Sequence, residues 1–324
     1  MKAILGEALD SIDDYSLTEV AAPAPGPGEV QVRIAACGIG YVDVLVALGG
    51  YQVKPTLPHI PGMEAAGTVA ALGEGVSGLA VGDRVLAAVQ GGFADYAVAP
   101  AEGVFRLPER LDFAAASGLR INYLTALHGL RDRARIQAGE RLLVLGAAGG
   151  VGIAAVQVGK LLGAEVIAVA STEEKRAFAT EWGADRVLDS DPEGWRDRLR
   201  AACGGRGPDV VFDPLCGPLF QPAFRSLVWG GRHLVVGFVG GEIPALPANL
   251  PLMKGAALTG VDVRQFLLLE PDKARTRMET LLSWTADGRL QPVVGRRFPM
   301  AAFADAMAHA HGGKALGKTV LEID

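Results

Sequence analysis

Residues 142–163 read LLVLGAAGGVGIAAVQVGKLLG. An apolar run, four glycines (Gly146, Gly149, Gly150 and Gly152) and a second apolar run stand in that order, which reads as a strand, a tight turn and a buried helix. Leu142 to Gly159 has no charge over 18 residues, long enough for a crude membrane threshold. The glycines break the run, so the membrane reading is set aside. Free N–H groups and about half a positive charge gather at a helix N-terminus and can hold a pyrophosphate, provided no Cβ blocks the approach. Gly146 and Gly149 are three apart, one residue off the strict G-x-G-x-x-G spacing. The strand–loop–helix context still points to a dinucleotide rather than to a plain tight turn.

The same alternation continues downstream. EVIAVA (165–170), a helical 173–182, RVLD (186–189), a helical 192–202, DVVFD (209–213) and GGRHLVVGF (230–238) follow in order. Continuous apolar strands separated by amphipathic helices are what a parallel sheet covered on both faces requires. The spacing predicts a doubly wound dinucleotide-binding domain over residues 117–262, within an α/β chain.

The end of the second strand selects the nucleotide. NAD sites usually place Asp or Glu there to hold the ribose hydroxyls, whereas a 2′-phosphate wants hydroxyls and a cation. Here the strand ends Ala170, Ser171, Thr172, with Lys175 and Arg176 one turn on and Glu173 and Glu174 between them. NADPH is favoured. The plainer alternative makes Lys175 a solvated helix residue and Ser171 a helix cap.

The first hundred residues read as short strands and turns, among them EVQVRIA (29–35), GTVAA (67–71) and RVLAAV (84–89), and a helical pattern begins behind Asp112. ALTGVDV (257–263) reads as the last strand of the nucleotide domain. A helix (271–287), a strand (292–299), a helix (301–310) and a final strand (318–323) close the chain. This tail is assigned back to the first domain, giving 1–116 with 263–324; a third small domain is the alternative. With 324 residues, two cores are the better expectation.

Lys and Arg number 31 against 36 Asp and Glu, a net charge of −5 without a basic run, so no nucleic acid and no membrane surface is expected as partner. A small molecule remains. Cys37, Cys203 and Cys216 are odd in number and widely spaced, which fits neither a disulfide framework nor a zinc knuckle. The opening MKAILGEALD has no secretory pattern, and a cytoplasmic protein is expected.

The chain resembles the medium-chain dehydrogenase/reductase superfamily, specifically its zinc-free quinone oxidoreductase branch, which includes zeta-crystallin. The residues that carry the resemblance are PAPGPGEVQVRI (23–34), CGIGYVD (37–43), PGMEAAGTV (61–69), GDRV (82–85), GAAGGVG (146–152), GADRVLD (183–189) and GKALGKTVL (313–321). It implies a GroES-like β-rich catalytic domain joined to a Rossmann domain, an active site in the cleft between them, and a homodimer or homotetramer formed through the Rossmann sheet edge. Zinc-dependent relatives place a cysteine where this chain has Gly40 and a histidine where it has Met63, so no metal is expected. His59, His128 and His233 stand alone in sequence, and His309 and His311 would face apart on a helix, so structural or surface roles are expected for all five.

The resemblance implies hydride delivery from NADPH to a quinone, with an enone or enoyl-thioester reductase as the alternative and an NADPH-binding protein with little catalysis as the third reading. Tyr41, beside Gly40, and Tyr51 are the expected hydrogen-bond donors to the acceptor, with Asp43 as a nearby orienting group; the plainer alternatives make both rings wall residues whose hydroxyls reach water and Asp43 structural. Tyr51 matches a tyrosine lining the substrate cleft, and Gly40 stands where many quinone reductases carry an asparagine. On the cofactor side it implies Thr125 near the nicotinamide ribose or the phosphates, Ala148, Gly149, Gly150 and Val151 on the pyrophosphate, and Ser171, Thr172 and Lys175 on the 2′-phosphate. Gly237, Phe238 and Val239 correspond to the strand end at the nicotinamide amide. Ser190 stands where relatives carry an aromatic residue near the adenine, and Asn249 and Lys314 fall in segments bordering the cleft.

Overall fold

The six apolar strands around the glycine loop form one all-parallel sheet in the computed structural model, which describes residues 1–323. In spatial order they are Arg186–Leu188, Glu165–Val169, Arg141–Leu145, Val210–Asp213, Arg232–Val235 and Ala257–Gly260. Registers such as Leu142↔Val166 and Val210↔Leu142 make Arg141–Leu145 the neighbour of both the second and the fourth strand. The chain therefore winds outward in both directions from Arg141–Leu145, the arrangement that opens a crevice at the strands' carboxyl ends. Leu142, Leu143 and Val144 are fully buried, as strands covered on both faces must be. The helix Gly150–Leu161 lies close on the sheet, because a Cβ at Gly159 would stand 2.5 Å from the Leu142 side chain.

Two units emerge from the contacts: residues 1–120 with 282–324, and residues 121–281. Residues 263–281 thus side with the nucleotide-binding unit rather than with the first domain, where the sequence reading put them. The physical reason is local. Phe266 stacks on His128 at 3.8 Å, and Arg277 pairs with Asp132 at 2.7 Å.

The first unit centres on the long strand Glu29–Ile39, which pairs antiparallel with Glu64–Leu72, with Tyr96–Pro100 and with Lys318–Glu322. The last strand of the chain thus closes on the first unit, with Thr319 opposite Ile39. Val30, Val32 and Ile34 alternate inward with Gln31 and Arg33 outward, the period-two pattern of a half-covered sheet. The seven-residue helix Tyr41–Ala47 escapes the sequence reading. Behind Asp112, which caps Phe113–Ala116, the expected helix instead widens into π-type turns at Leu119–Tyr123 and His128–Arg133. The helix expected from Pro192 starts at Trp195, since Gly194 before it sits at φ +62°.

Candidate functional site

In the second unit, the strand Arg141–Leu145 delivers the chain to Gly146 at φ +61°, a left-handed conformation that glycine adopts without strain. Gly149 caps the helix Gly150–Leu161 and its carbonyl accepts from the Ile153 N–H at 2.8 Å. The amides before Ile153 have no helical carbonyl to bond, which leaves them for an anion. Gly152 cannot be anything larger: its Cβ would stand 2.2 Å from the Gly146 carbonyl oxygen. Gly149 has room, with nothing closer than 3.6 Å. A bare backbone cradle at a helix start on the carboxyl edge of the sheet fits a dinucleotide pyrophosphate. Ala148 and Val151 flank it, buried and half-buried respectively.

The second strand ends at an exposed Ser171 and Thr172. Thr172, not Ser171, caps the helix Glu173–Glu181, its hydroxyl accepting from the Lys175 N–H at 3.2 Å. Arg176 turns back to the Ala170 carbonyl at 3.1 Å. Ser190 is half-buried beyond Arg186–Leu188. Gly237–Val239 pack on the turn after Val210–Asp213, the Val239 N–H donating to the Pro214 carbonyl at 3.4 Å and the following Gly240 N–H to the Leu215 carbonyl at 2.8 Å, and Phe238 stays 46% exposed. Thr125 is buried and donates to the Ile121 carbonyl at 2.6 Å, so its hydroxyl hydrogen is spent within its own helix. Asn249 is exposed at the start of Asn249–Lys254, and Lys314 is exposed in the first unit.

Histidines read as isolated in sequence prove to be paired. His128 lies 3.2 Å from Asp132, and His233, fully buried, lies 3.0 Å from the fully buried Asp213. The other Asp213 oxygen accepts from the Leu215 and Cys216 amides at 3.0 and 2.8 Å. That bracket holds Cys216 at φ +48° in the turn against which Gly237–Val239 rest. The sequence signal was an aspartate ending an apolar strand just before P-L-C-G.

In the first unit, four ionisable side chains meet under the sheet. The Lys318 ammonium donates to Glu64 Oε1 at 2.5 Å, and both residues are nearly fully buried. Its stem threads between glycines: a Cβ at Gly38 would touch Lys318 Cε at 2.5 Å, and one at Gly118 would touch Cγ at 3.0 Å. Burial pulls the Lys318 ammonium down, but Glu64 and Asp43 outweigh it and hold the pKa above the ordinary lysine range. Burial, followed by the charges of Asp43 and Glu64, pushes the Cys37 thiol well up, so it stays protonated.

Asp43 belongs to this cluster rather than to the tyrosines. One of its oxygens accepts from the Gly40 N–H at 2.7 Å, the other is buried, and the Met63 backbone also lies close enough to favour the charged carboxylate. It therefore orients neither tyrosine hydroxyl. Tyr41 is half-buried and stacks on His311 at 5.1 Å, and Tyr51 is half-buried. Burial pushes the Asp43 carboxyl from 3.8 up to about 6, against the lowering pull of Lys318 and of the Gly40 N–H. At about 1.4 kcal/mol per pH unit, ionised Asp43 costs the fold roughly 3 kcal/mol. The native pKa is the raised one, so this cost is complete above pH 6 and lifts as pH falls from 6 toward 4. Asp43→Asn keeps the shape without the charge. Urea unfolding should show it more stable than wild type by about 2 kcal/mol at pH 7.5, with the gap closing by pH 4.5; a gap independent of pH would contradict this.

Two family models match the chain: "Alcohol dehydrogenase GroES-like domain" over residues 26–109 and "Zinc-binding dehydrogenase" over residues 150–286. Quinone oxidoreductase-like protein 2 of Mus musculus is 34% identical over 310 residues, covering 95% of this chain and 89% of its own length. The chain belongs to the medium-chain dehydrogenase/reductase superfamily, in its quinone oxidoreductase branch. A probable oxidoreductase from Mycobacterium abscessus is 37% identical, with a TM-score of 0.90 over 99% of both chains. Mycobacterial Rv1454c, solved complexed with NADPH, is 28% identical, with a TM-score of 0.91 over 99% of this chain and 100% of its own.

Membership of that branch makes the chain an oxidoreductase with a nicotinamide cofactor, and the glycine cradle is where that cofactor fits. Among the described residues, no three His, Cys, Asp or Glu side chains gather closely enough to hold a metal ion. Nor is any described helix long and apolar enough to cross a membrane. The network of Lys318, Glu64 and Asp43 is what sequence reasoning missed in this medium-chain reductase. Its signal was faint: a glutamate and a lysine at the starts of otherwise apolar strands.

Proposed function

We propose that the protein is an NADPH-dependent quinone oxidoreductase that works without a metal ion. The observation carrying this reading is what stands at the zinc-ligand positions of related enzymes: Gly40 and Met63, with the buried Lys318 ammonium 3.7 Å from where a Gly40 Cβ would be. A fixed protein cation there, already neutralised by Glu64, leaves no ligand set for a metal. An acceptor that needs no Lewis acid, such as a quinone, suits such a site.

NADPH, when bound, supplies a hydride. Gly149, Gly150 and Val151 hold its diphosphate through backbone amides, and Ser171 and Lys175 hold the 2′-phosphate. Tyr41 and Tyr51 offer hydroxyls to the acceptor oxygen as charge builds on it. The quinone gains the hydride and one proton and leaves as hydroquinone. The proposed location is the cytoplasm, where three free buried thiols persist, and the proposed assembly is a homodimer. Supporting the dimer, Ala257–Gly260 is an edge strand with exposed Leu258, near exposed Leu252, Met253 and Trp229.

A second reading, reduction of an enone or enoyl thioester, draws on Tyr51, whose hydroxyl has no protein hydrogen bond among the described residues. Following NADPH oxidation with ortho- and para-quinones, enones and enoyl thioesters separates the two. Turnover on quinones is expected; turnover on enoyl thioesters alone would move the assignment. Lys175→Ala should raise the KM for NADPH about tenfold, the loss of one charge-assisted bond, and leave that for NADH unchanged. Equal effects on both nucleotides would remove the 2′-phosphate from Lys175.

A further inference from the structure

A second concave surface lies in the nucleotide-binding unit, away from the glycine cradle. The helix Trp195–Ala202, the loop 205–207, the end of Phe220–Ser226 and Lys254 enclose a groove of about 580 Å³, within the size range of small-ligand sites. The loop 205–207 precedes the strand Val210–Asp213, and residues 226–227 precede Arg232–Val235. This part of the groove therefore flanks the amino ends of the sheet strands, whereas Gly146–Gly152 follow a carboxyl end.

Five cations line the groove, Arg196, Arg200, Arg206, Arg225 and Lys254, against a single carboxylate, Asp197. Such an accumulation runs against a chain of net charge −5. Three of them donate to neutral carbonyls: Arg196 to Arg225 O at 3.5 Å, Arg200 to Gly205 O at 3.2 Å and Lys254 to Leu227 O at 3.0 Å. Among the described residues none of the five forms an ion pair, although Arg198 on the same helix pairs with Asp189 at 2.8 Å. Burial and the neighbouring Arg196 charge hold the Lys254 ammonium below its ordinary range. The four arginines are exposed and Lys254 is half-buried, so an anion with several charges meets them from solvent and gains attraction from each. Arginine forks favour phosphate oxygens in particular.

We propose that this groove binds a small ligand with clustered phosphates, a polyphosphate or a nucleoside polyphosphate. Its affinity is set by the four arginines and Lys254 and opposed by Asp197. The test is calorimetric titration of the full chain, saturated with NADP⁺ so that the glycine cradle is filled, using sodium tripolyphosphate in one arm and ATP in the other at constant ionic strength. Saturable one-to-one binding is expected in at least one arm, and the tighter arm names the source. The Arg200→Gln/Arg225→Gln double variant should weaken binding at least tenfold, and Asp197→Asn should tighten it severalfold. The Asp197→Asn arm stands even where the double variant folds poorly. No saturable binding at millimolar ligand, or affinities that ignore both sets of substitutions, would overturn the proposal.

Discussion

Gly152→Val is expected to abolish nucleotide binding, with NADPH affinity falling at least a hundredfold in a fluorescence titration. The valine Cβ would start 2.2 Å from the Gly146 carbonyl oxygen and 2.9 Å from Ala147 Cα, and both contacts are backbone, which cannot rotate away. The first turn of Gly150–Leu161 would have to move off the strand Arg141–Leu145, and the amides that converge on the diphosphate would separate. Overpacking of this kind costs about 1–3 kcal/mol in stability. Displaced donors then remove charge-assisted bonds of about 1.5–3 kcal/mol each. Gly149→Ala is the internal control: its Cβ has 3.6 Å of clearance, so that variant should fold normally and lose far less affinity. Equal losses at the two positions would mean that the loop is not the cradle.

Lys318→Met is expected to cost about 3–5 kcal/mol, because it strands Glu64 and Asp43 as buried carboxylates without their cation. Against a typical total of about 5–15 kcal/mol, that is a large share, and the first unit should melt roughly 10 °C lower. The sign with pH is fixed by the raised native pKa of Lys318. Its stabilisation is complete at neutral pH and is lost only as pH climbs through that raised value, so the deficit of the variant should be full at pH 7. Adding Glu64→Leu should recover much of the loss, since an apolar pair replaces a buried ion pair at little cost. If the single and double variants melt alike, the pair is not coupled as described.

The nucleotide-binding half was legible because its signals are local. An apolar strand, a glycine turn and an amphipathic helix each announce themselves within a dozen residues, and every strand expected from 142 to 260 stands in the sheet. The first unit carries its chemistry in contacts that no window spans. Glu64 and Lys318 are 254 positions apart, and both sit in runs that read as plain apolar strands. Asp43 was visible, but its partners were not, and the helix that carries it starts at a glycine without a side-chain cap. His233 and Asp213 looked solitary because their pairing crosses two neighbouring parallel strands. The boundary near residue 263 was misjudged for a related reason: stacking of Phe266 on His128 is a tertiary event.

The proposed function is metal-free hydride transfer from NADPH to a quinone. The most direct measurement is quinone-dependent NADPH oxidation by protein stripped with a chelator and assayed for metal in the same sample. The account predicts an unchanged rate at zinc contents far below one per chain. Loss of activity on stripping, restored by stoichiometric zinc, would contradict it.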